Sequence, residues 1–237
     1  MVIGTLGRRA FAGAGWYNEA PNPSALERRS TLSLIEVFAD VCCPFTHVGL
    51  RRMVARRKVL SAEYETAGLS LYVRAWPLEL VNGAPLDADF IAEEVVALRE
   101  QVAPDLFAGF DKSAFPATAL PALSLAADAY GCSIDVGERV SLALRDELFE
   151  HGHDIADLQV LAAIADAHGV RISDDRRSIK ADWDEGRARG VVGSPHFFAP
   201  GIDAFCPVLD ITRVDGHLRI AADPDALESF LQHCLAP

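Results

Sequence analysis

The chain has 237 residues, 50% of them hydrophobic, and a formal net charge of −12. That apolar content supports a packed core and excludes a disordered chain, and the length fits one large domain or one domain carrying an insertion. The acidic balance argues against nucleic acid or an anionic membrane as partner, and no apolar stretch has the length of a transmembrane helix.

Residues 1–30 are rich in Gly, Ala, Pro and Asn, include Pro21-Asn22-Pro23, and read as an N-terminal extension without predicted elements. Arg8-Arg9 raises the question of a twin-arginine export signal, but no sustained hydrophobic segment follows, so a cytoplasmic location is expected. The run 32–39 is nearly continuously apolar and predicts a buried strand. A helix over 44–58 follows, and its run Arg51-Arg52, Arg56-Arg57-Lys58 reads as a solvated face that complements the C-terminal dipole. Residues 69–76 alternate and contain aromatic and β-branched side chains, which predicts a second strand. Strand, helix, strand is a right-handed βαβ unit with parallel strands.

After Pro85 the periodicity is helical for about a hundred residues. Ile91, Val95 and Leu98 form one stripe; Leu123, Leu125, Ala126 and Ala129 form another, ended by Gly131. Val140, Leu144 and Leu148 come next, then a turn at His151-Gly152-His153-Asp154, then a helix from Asp157 to Gly169. Strand character returns at Pro195-His196-Phe197-Phe198 and at 208–214, where Asp215-Gly216 predicts a hairpin turn into a return strand at 217–221. Asp223-Pro224 opens a terminal helix bearing Leu227, Phe230, Leu231 and Cys234. The order βαβ, helical block, ββα predicts an α/β thioredoxin-like fold with a large inserted α-helical domain. The expected division is extension 1–30, thioredoxin-like part 31–86, inserted helices 87–189 and thioredoxin-like part 190–237.

Cys43-Pro44-Phe45-Thr46 joins the first strand to the first helix. Helix N-terminal N–H groups and the macrodipole favour an anion there, and Pro44 suits the first helical turn. A dipole effect of up to roughly 2 kcal/mol would lower the Cys43 pKa from about 8.5 to about 7, giving a nucleophilic thiolate. Thr46 would donate a hydrogen bond to that sulfur but has no thiol with which to break a mixed disulfide, so an outside thiol has to finish the exchange.

The segment from Phe38 to Gly49 resembles the active-site signature of DsbA-type oxidoreductases, nearest to a FrnE-like branch that usually reads Asp-x-x-Cys-Pro-Trp-Cys-Tyr-x-Gly. Cys43 aligns with the nucleophile, Thr46 replaces the second active-site Cys and His47 replaces the Tyr. Trp76-Pro77-Leu78-Glu79-Leu80, His151-Gly152-His153-Asp154-Ile155 and 190–198 resemble further segments of that group, the last carrying a cis-proline at Pro195. Kappa-class glutathione transferases and 2-hydroxychromene-2-carboxylate isomerases are similar in architecture, usually with Ser at the nucleophile position. The resemblance implies catalytic roles for Cys43 and Thr46. It implies substrate or thiol contacts for Pro44, Phe45, His47, Trp76, Ser194, Pro195 and His196.

Five cysteines, Cys42, Cys43, Cys132, Cys206 and Cys234, are an odd number with neither a CxxC pair nor a second metal-ligand pair, so reduced thiols and no metal are expected. Cys42, Cys132 and Cys234 read chiefly as packing residues, and Cys206, beyond the Pro195 loop, as a distant resolving thiol if the fold brings it near Cys43. The leading functional expectation is a thiol-disulfide oxidoreductase using Cys43. No tightly bound cofactor is expected, and glutathione or another low-molecular-weight thiol would be the co-substrate. The alternatives are a thiol-dependent isomerase or transferase, and a non-catalytic binding protein on the same scaffold. Partners would be a small thiol or a protein disulfide, with a homodimer as a further assembly, and neither nucleic acid nor membrane.

Overall fold

The computed structural model describes residues 33–64, 68–173 and 175–235; the extension expected over 1–30 lies outside them. The chain enters through β1 (Leu34–Ala39), α1 (Pro44–Tyr64) and β2 (Ser70–Ala75). Helices α2 (Leu78–Asn82), α3 (Ala88–Gln101), α4 (Leu120–Cys132), α5 (Ile134–Phe149), α6 (Leu158–His168) and α7 (Arg177–Ala188) follow, with a short 3₁₀ turn at Lys112–Ala114. The chain closes with β3 (His196–Ala199), β4 (Ile202–Phe205), β5 (Leu209–Val214), β6 (His217–Ala222) and α8 (Pro224–Leu235).

The main sheet has the order β2-β1-β3-β4. β1 and β2 are parallel, in register from Leu34↔Ser70 to Ala39↔Ala75, while β3 runs antiparallel to both β1 and β4. Period-2 alternation sorts the β1 side chains onto two faces. Glu36 and Phe38 share one face with Arg74, Phe198 and Arg189; Arg74 donates to Glu36 at 2.5 Å and the Arg189 guanidinium lies 4.1 Å from the Phe198 ring centre. Phe197, on the other side of its strand from Phe198, packs its ring 5.9 Å from that of Phe230 on α8.

β2 is an edge strand, and side chains of the inserted helices occupy its free hydrogen-bonding groups. Glu138 of α5 accepts from Leu71 N, Tyr130 of α4 accepts from Val73 N and donates to Leu71 O, and Asp182 of α7 accepts from Ala75 N. An open edge would otherwise be a template for pairing with another chain. Here it anchors the helical block to the sheet.

The terminal ββα expectation needs one correction. The strand beside β3 is β4, only four residues long and reached through Pro200-Gly201 with Gly201 at φ 78. The hairpin expected around Asp215-Gly216 is present, with both residues at positive φ (51 and 82), but it forms a separate two-stranded sheet. A four-residue edge strand carries too little periodicity to stand out from a loop.

Candidate functional site

The β1–α1 junction is organised around Asp40, which is buried. Its Oδ1 accepts from Cys42 N at 2.7 Å and its Oδ2 from Leu78 N at 2.6 Å, so one carboxylate sets both the turn before Cys43 and the exit from β2. Its own N–H donates to Ser194 Oγ at 2.9 Å, and its carbonyl accepts from Arg145 Nη2 at 3.2 Å. Burial pushes the Asp40 carboxyl up to about 6, against the pull of the two N–H donors and the Arg145 charge. Arg145 is itself buried and spends Nη1 on the carbonyl and hydroxyl of Ser141, both at 2.7 Å.

Ser194 and Pro195 come against this junction from the other end of the chain. Cys43 Sγ donates to Ser194 O at 3.2 Å, and Thr46 Oγ1 lies 2.8 Å from Ser194 Oγ. The Ser194–Pro195 peptide bond is cis. Gly49 faces the proline, and a Cβ there would stand 3.5 Å from Pro195 Cγ. Cys43, Thr46, Ser194 and Pro195 therefore share one site. Pro44 is the first residue of α1, and both it and Phe45 are buried beside Cys43.

The electrostatics of Cys43 correct the sequence-based expectation. The residue is 4% exposed, and burial pushes its thiol up, although the Thr46 hydroxyl and N–H and Ser194 favour the anion. Full burial shifts a pKa by up to about 3–5 units, which exceeds the roughly 2 kcal/mol, about 1.5 units, that a helix end supplies. Desolvation wins, and the resting group is the neutral thiol that donates to Ser194 O.

Three residues expected at the thiol have their partners elsewhere. His47 Nε2 meets Glu150 Oε1 at 2.6 Å, with the ring packed between Phe107 and Phe149. Burial lowers its pKa despite Glu150, so the bond is that of a neutral imidazole N–H to a carboxylate. Burial alone would raise the Glu150 carboxyl, but hydrogen bonds from His47, Phe107 N and Ala108 N hold it at about 2. Trp76 stacks on Trp183 at 4.6 Å under α7. His196 accepts from Val192 N at Nδ1 and therefore donates from Nε2 to Asp203 at 3.0 Å. His47 adjoins the Cys43 motif and His196 adjoins Pro195, but the backbone turns these rings, like Trp76, into packing between segments.

Sequence reasoning missed Arg145 on α5, Glu150 directly after α5, and Glu94 on α3, all in the inserted block. Glu94 is 8% exposed, and burial pushes its carboxyl up to about 7. It opens on a groove of about 1050 Å³ between α3 and the β5–β6 hairpin, and its charge acts on the Cys43 thiol. No local pattern separates such residues from other charges on an amphipathic helix. Cys206, named from sequence, is buried against the proline loop and donates from its N–H to Pro195 O at 3.0 Å. Among the described residues no group of three or more His, Cys, Asp or Glu is arranged to hold a metal ion, and no helix is long and apolar enough to cross a membrane.

Neither the protein-family models nor the curated proteins contain a match to this chain. Solved structures do match. The cytosolic disulfide reductase DsbM from Pseudomonas aeruginosa is similar at 14% identity over 85% of this chain and 98% of that one, with a TM-score of 0.53. The same protein solved with GSH aligns at 13% identity over 85% and 98%, with a TM-score of 0.52. A 2-hydroxychromene-2-carboxylate isomerase aligns at 13% identity over 84% of this chain and 95% of that one, with a TM-score of 0.52. At such identities the likeness is one of fold, and the chain has the α/β thioredoxin-like fold with an inserted helical block that these proteins share.

Proposed function

We propose that this protein is a thiol-disulfide oxidoreductase in which Cys43 exchanges with a low-molecular-weight thiol or disulfide of the glutathione type. The observation that carries the proposal is the 3.2 Å contact between Cys43 Sγ and Ser194 O, at a helix N-terminus and beside Pro195. A sulfur aimed at that loop meets an extended thiol peptide bound along the Ser194 backbone, as in strand addition. Thr46 supports the reacting anion through its hydroxyl and N–H. The fold likeness to a cytosolic disulfide reductase, also solved with GSH, supports this chemistry and a cytoplasmic location.

The step is an exchange. The Cys43 thiolate attacks one sulfur of the oxidised small thiol, the S–S bond breaks, and a thiolate leaves with the proton released by Cys43. Because burial holds the resting thiol neutral, the reaction accelerates with rising pH. The test is intact-mass analysis with peptide mapping after incubation with oxidised glutathione, on wild type and Cys43→Ser. Oxidation of Cys43, as a glutathionyl adduct or as a disulfide formed after that adduct is released, is expected in the wild type and neither at position 43 in the variant. Labelling confined to the exposed Cys132 would overturn the proposal.

The neutral state of Cys43 also favours a second reading, a glutathione-dependent isomerase in which the cofactor's own sulfur is the nucleophile. The Cys43 S–H and Thr46 O–H would then donate to it. Glutathione bound at Ser194 without any mixed disulfide would select that reading.

A further inference from the structure

Exchange at Cys43 ends in a mixed disulfide that Thr46 has no sulfur to break. We propose that Cys206 is the second thiol of this site and releases the bound small thiol by forming a Cys43–Cys206 disulfide, an inference that rests on the proposed exchange at Cys43.

Both cysteines are tied to the same loop. Cys43 Sγ donates to the carbonyl of Ser194 at 3.2 Å, and Cys206 N donates to the carbonyl of Pro195 at 3.0 Å. They are thus fastened to consecutive carbonyls, although 163 positions of sequence separate them. Each is 4% exposed, so both thiols are shielded from bulk solvent. Cys206 also has a backbone φ of 44, in the left-handed region, whereas glycine occupies most such positions among the described residues. A non-glycine residue held there is strained, and such residues gather at functional sites. Burial, and then the charge of Cys43, push the Cys206 thiol up to about 12, an electrostatic coupling that agrees with the shared position. Cys132 on α4 is exposed, and Cys234 lies at the end of α8; neither bonds to the loop of Ser194 and Pro195 among the described residues.

The chemistry balances with an oxidised small thiol as the only co-reactant. In the first step Cys43 takes one half of the disulfide and the other half leaves as a thiol. In the second, Cys206 Sγ attacks Cys43 Sγ, the bond to the small thiol breaks, and the leaving sulfur takes the proton that Cys206 gives up. Overall two protein thiols are oxidised to one disulfide, and one small disulfide is reduced to two small thiols.

The experiment exposes full-length wild type and Cys206→Ser to oxidised glutathione, quenches with an alkylating agent at intervals, and maps the cysteines by mass spectrometry. A Cys43–Cys206 cross-linked peptide is expected in the wild type. In Cys206→Ser the glutathione adduct on Cys43 should persist about tenfold longer or more, since no internal thiol attacks it. Equal adduct lifetimes with no cross-link would overturn the inference while leaving exchange at Cys43 intact. A cross-link from Cys43 to Cys42 or Cys234 would overturn it as well. Absence of any reaction at Cys43 would remove the underlying exchange and the inference together. Should Cys206→Ser fold poorly, Cys206→Ala gives the same comparison, and the wild-type cross-link decides by itself.

Discussion

Ser194 Oγ lies 2.8 Å from Thr46 Oγ1 and also accepts the Asp40 N–H at 2.9 Å, so one hydroxyl joins the proline loop to both ends of the β1–α1 junction. Its carbonyl holds the Cys43 thiol. Side chain and backbone of Ser194 both act on the thiol, and the side chain also braces the turn.

Ser194→Ala removes the hydroxyl and leaves the carbonyl. The buried Asp40 N–H then lacks its acceptor, a loss of about 1–3 kcal/mol. Urea unfolding should show that loss, and Cys43 should alkylate more slowly at a given pH, because the Ser194 side chain is one of the groups that favour its anion. A change below about 0.5 kcal/mol, within the range of ordinary surface substitutions, would mean that the hydroxyl is not a structural hub.

Cys43 is expected to alkylate slowly at neutral pH and faster by about tenfold per pH unit up to pH 9, because its pKa is raised and only the thiolate reacts. A rate plateau near pH 7 would contradict the desolvated thiol. Linkage has the same sign. The neutral thiol's contribution to folding is fully present below the unfolded value of about 8.5 and is lost as pH rises through the raised folded value.

Glu150 behaves in the opposite sense. Its carboxylate is held at about 2 by His47 and the Phe107 and Ala108 N–H groups, so it stabilises the fold above the unfolded value of about 4.3 and loses that effect as pH falls through 2. The group is partly exposed, so solvent screening reduces the gain to about 1–2 kcal/mol. Comparing wild type with Glu150→Gln across acid titration should show a stability gap at pH 6 that closes below pH 3. A gap of constant size would point to packing rather than charge.

Gly186 on α7 lies against Trp76, and a Cβ there would stand 2.6 Å from Trp76 Cζ3 and 3.0 Å from Phe38 Cδ1. Both rings are buried, so Gly186→Ala is expected to destabilise by about 1–3 kcal/mol through overpacking, in spite of alanine's better helix propensity. Thermal unfolding with near-ultraviolet circular dichroism checks this. A stabilised variant would show that the tryptophan pair yields freely.

Much of the scaffold was legible in the chain. The apolar run before Cys43, the alternation over 69–76, the Asp215-Gly216 dipeptide and the helical stripes each encode a local preference that the fold keeps. Cys43 and Pro195 were legible through their motifs. β4 was not, because four residues after Pro200-Gly201 lack a repeat long enough to read. Arg145, Glu94 and Glu150 were not, because a charge on a helix or at its end looks the same whether solvent or a buried turn faces it.

Order of elements and the position of a thiol at a helix start are properties of the amino-acid sequence by itself, since periodicity, turn chemistry and spacing are local. Tertiary structure alone decided the ionisation of Cys43, the withdrawal of His47 and Trp76 into packing, and the meeting of Cys206 with the Pro195 loop. The reason is physical: desolvation and side-chain partnership depend on groups from remote segments, which only the folded chain brings into contact.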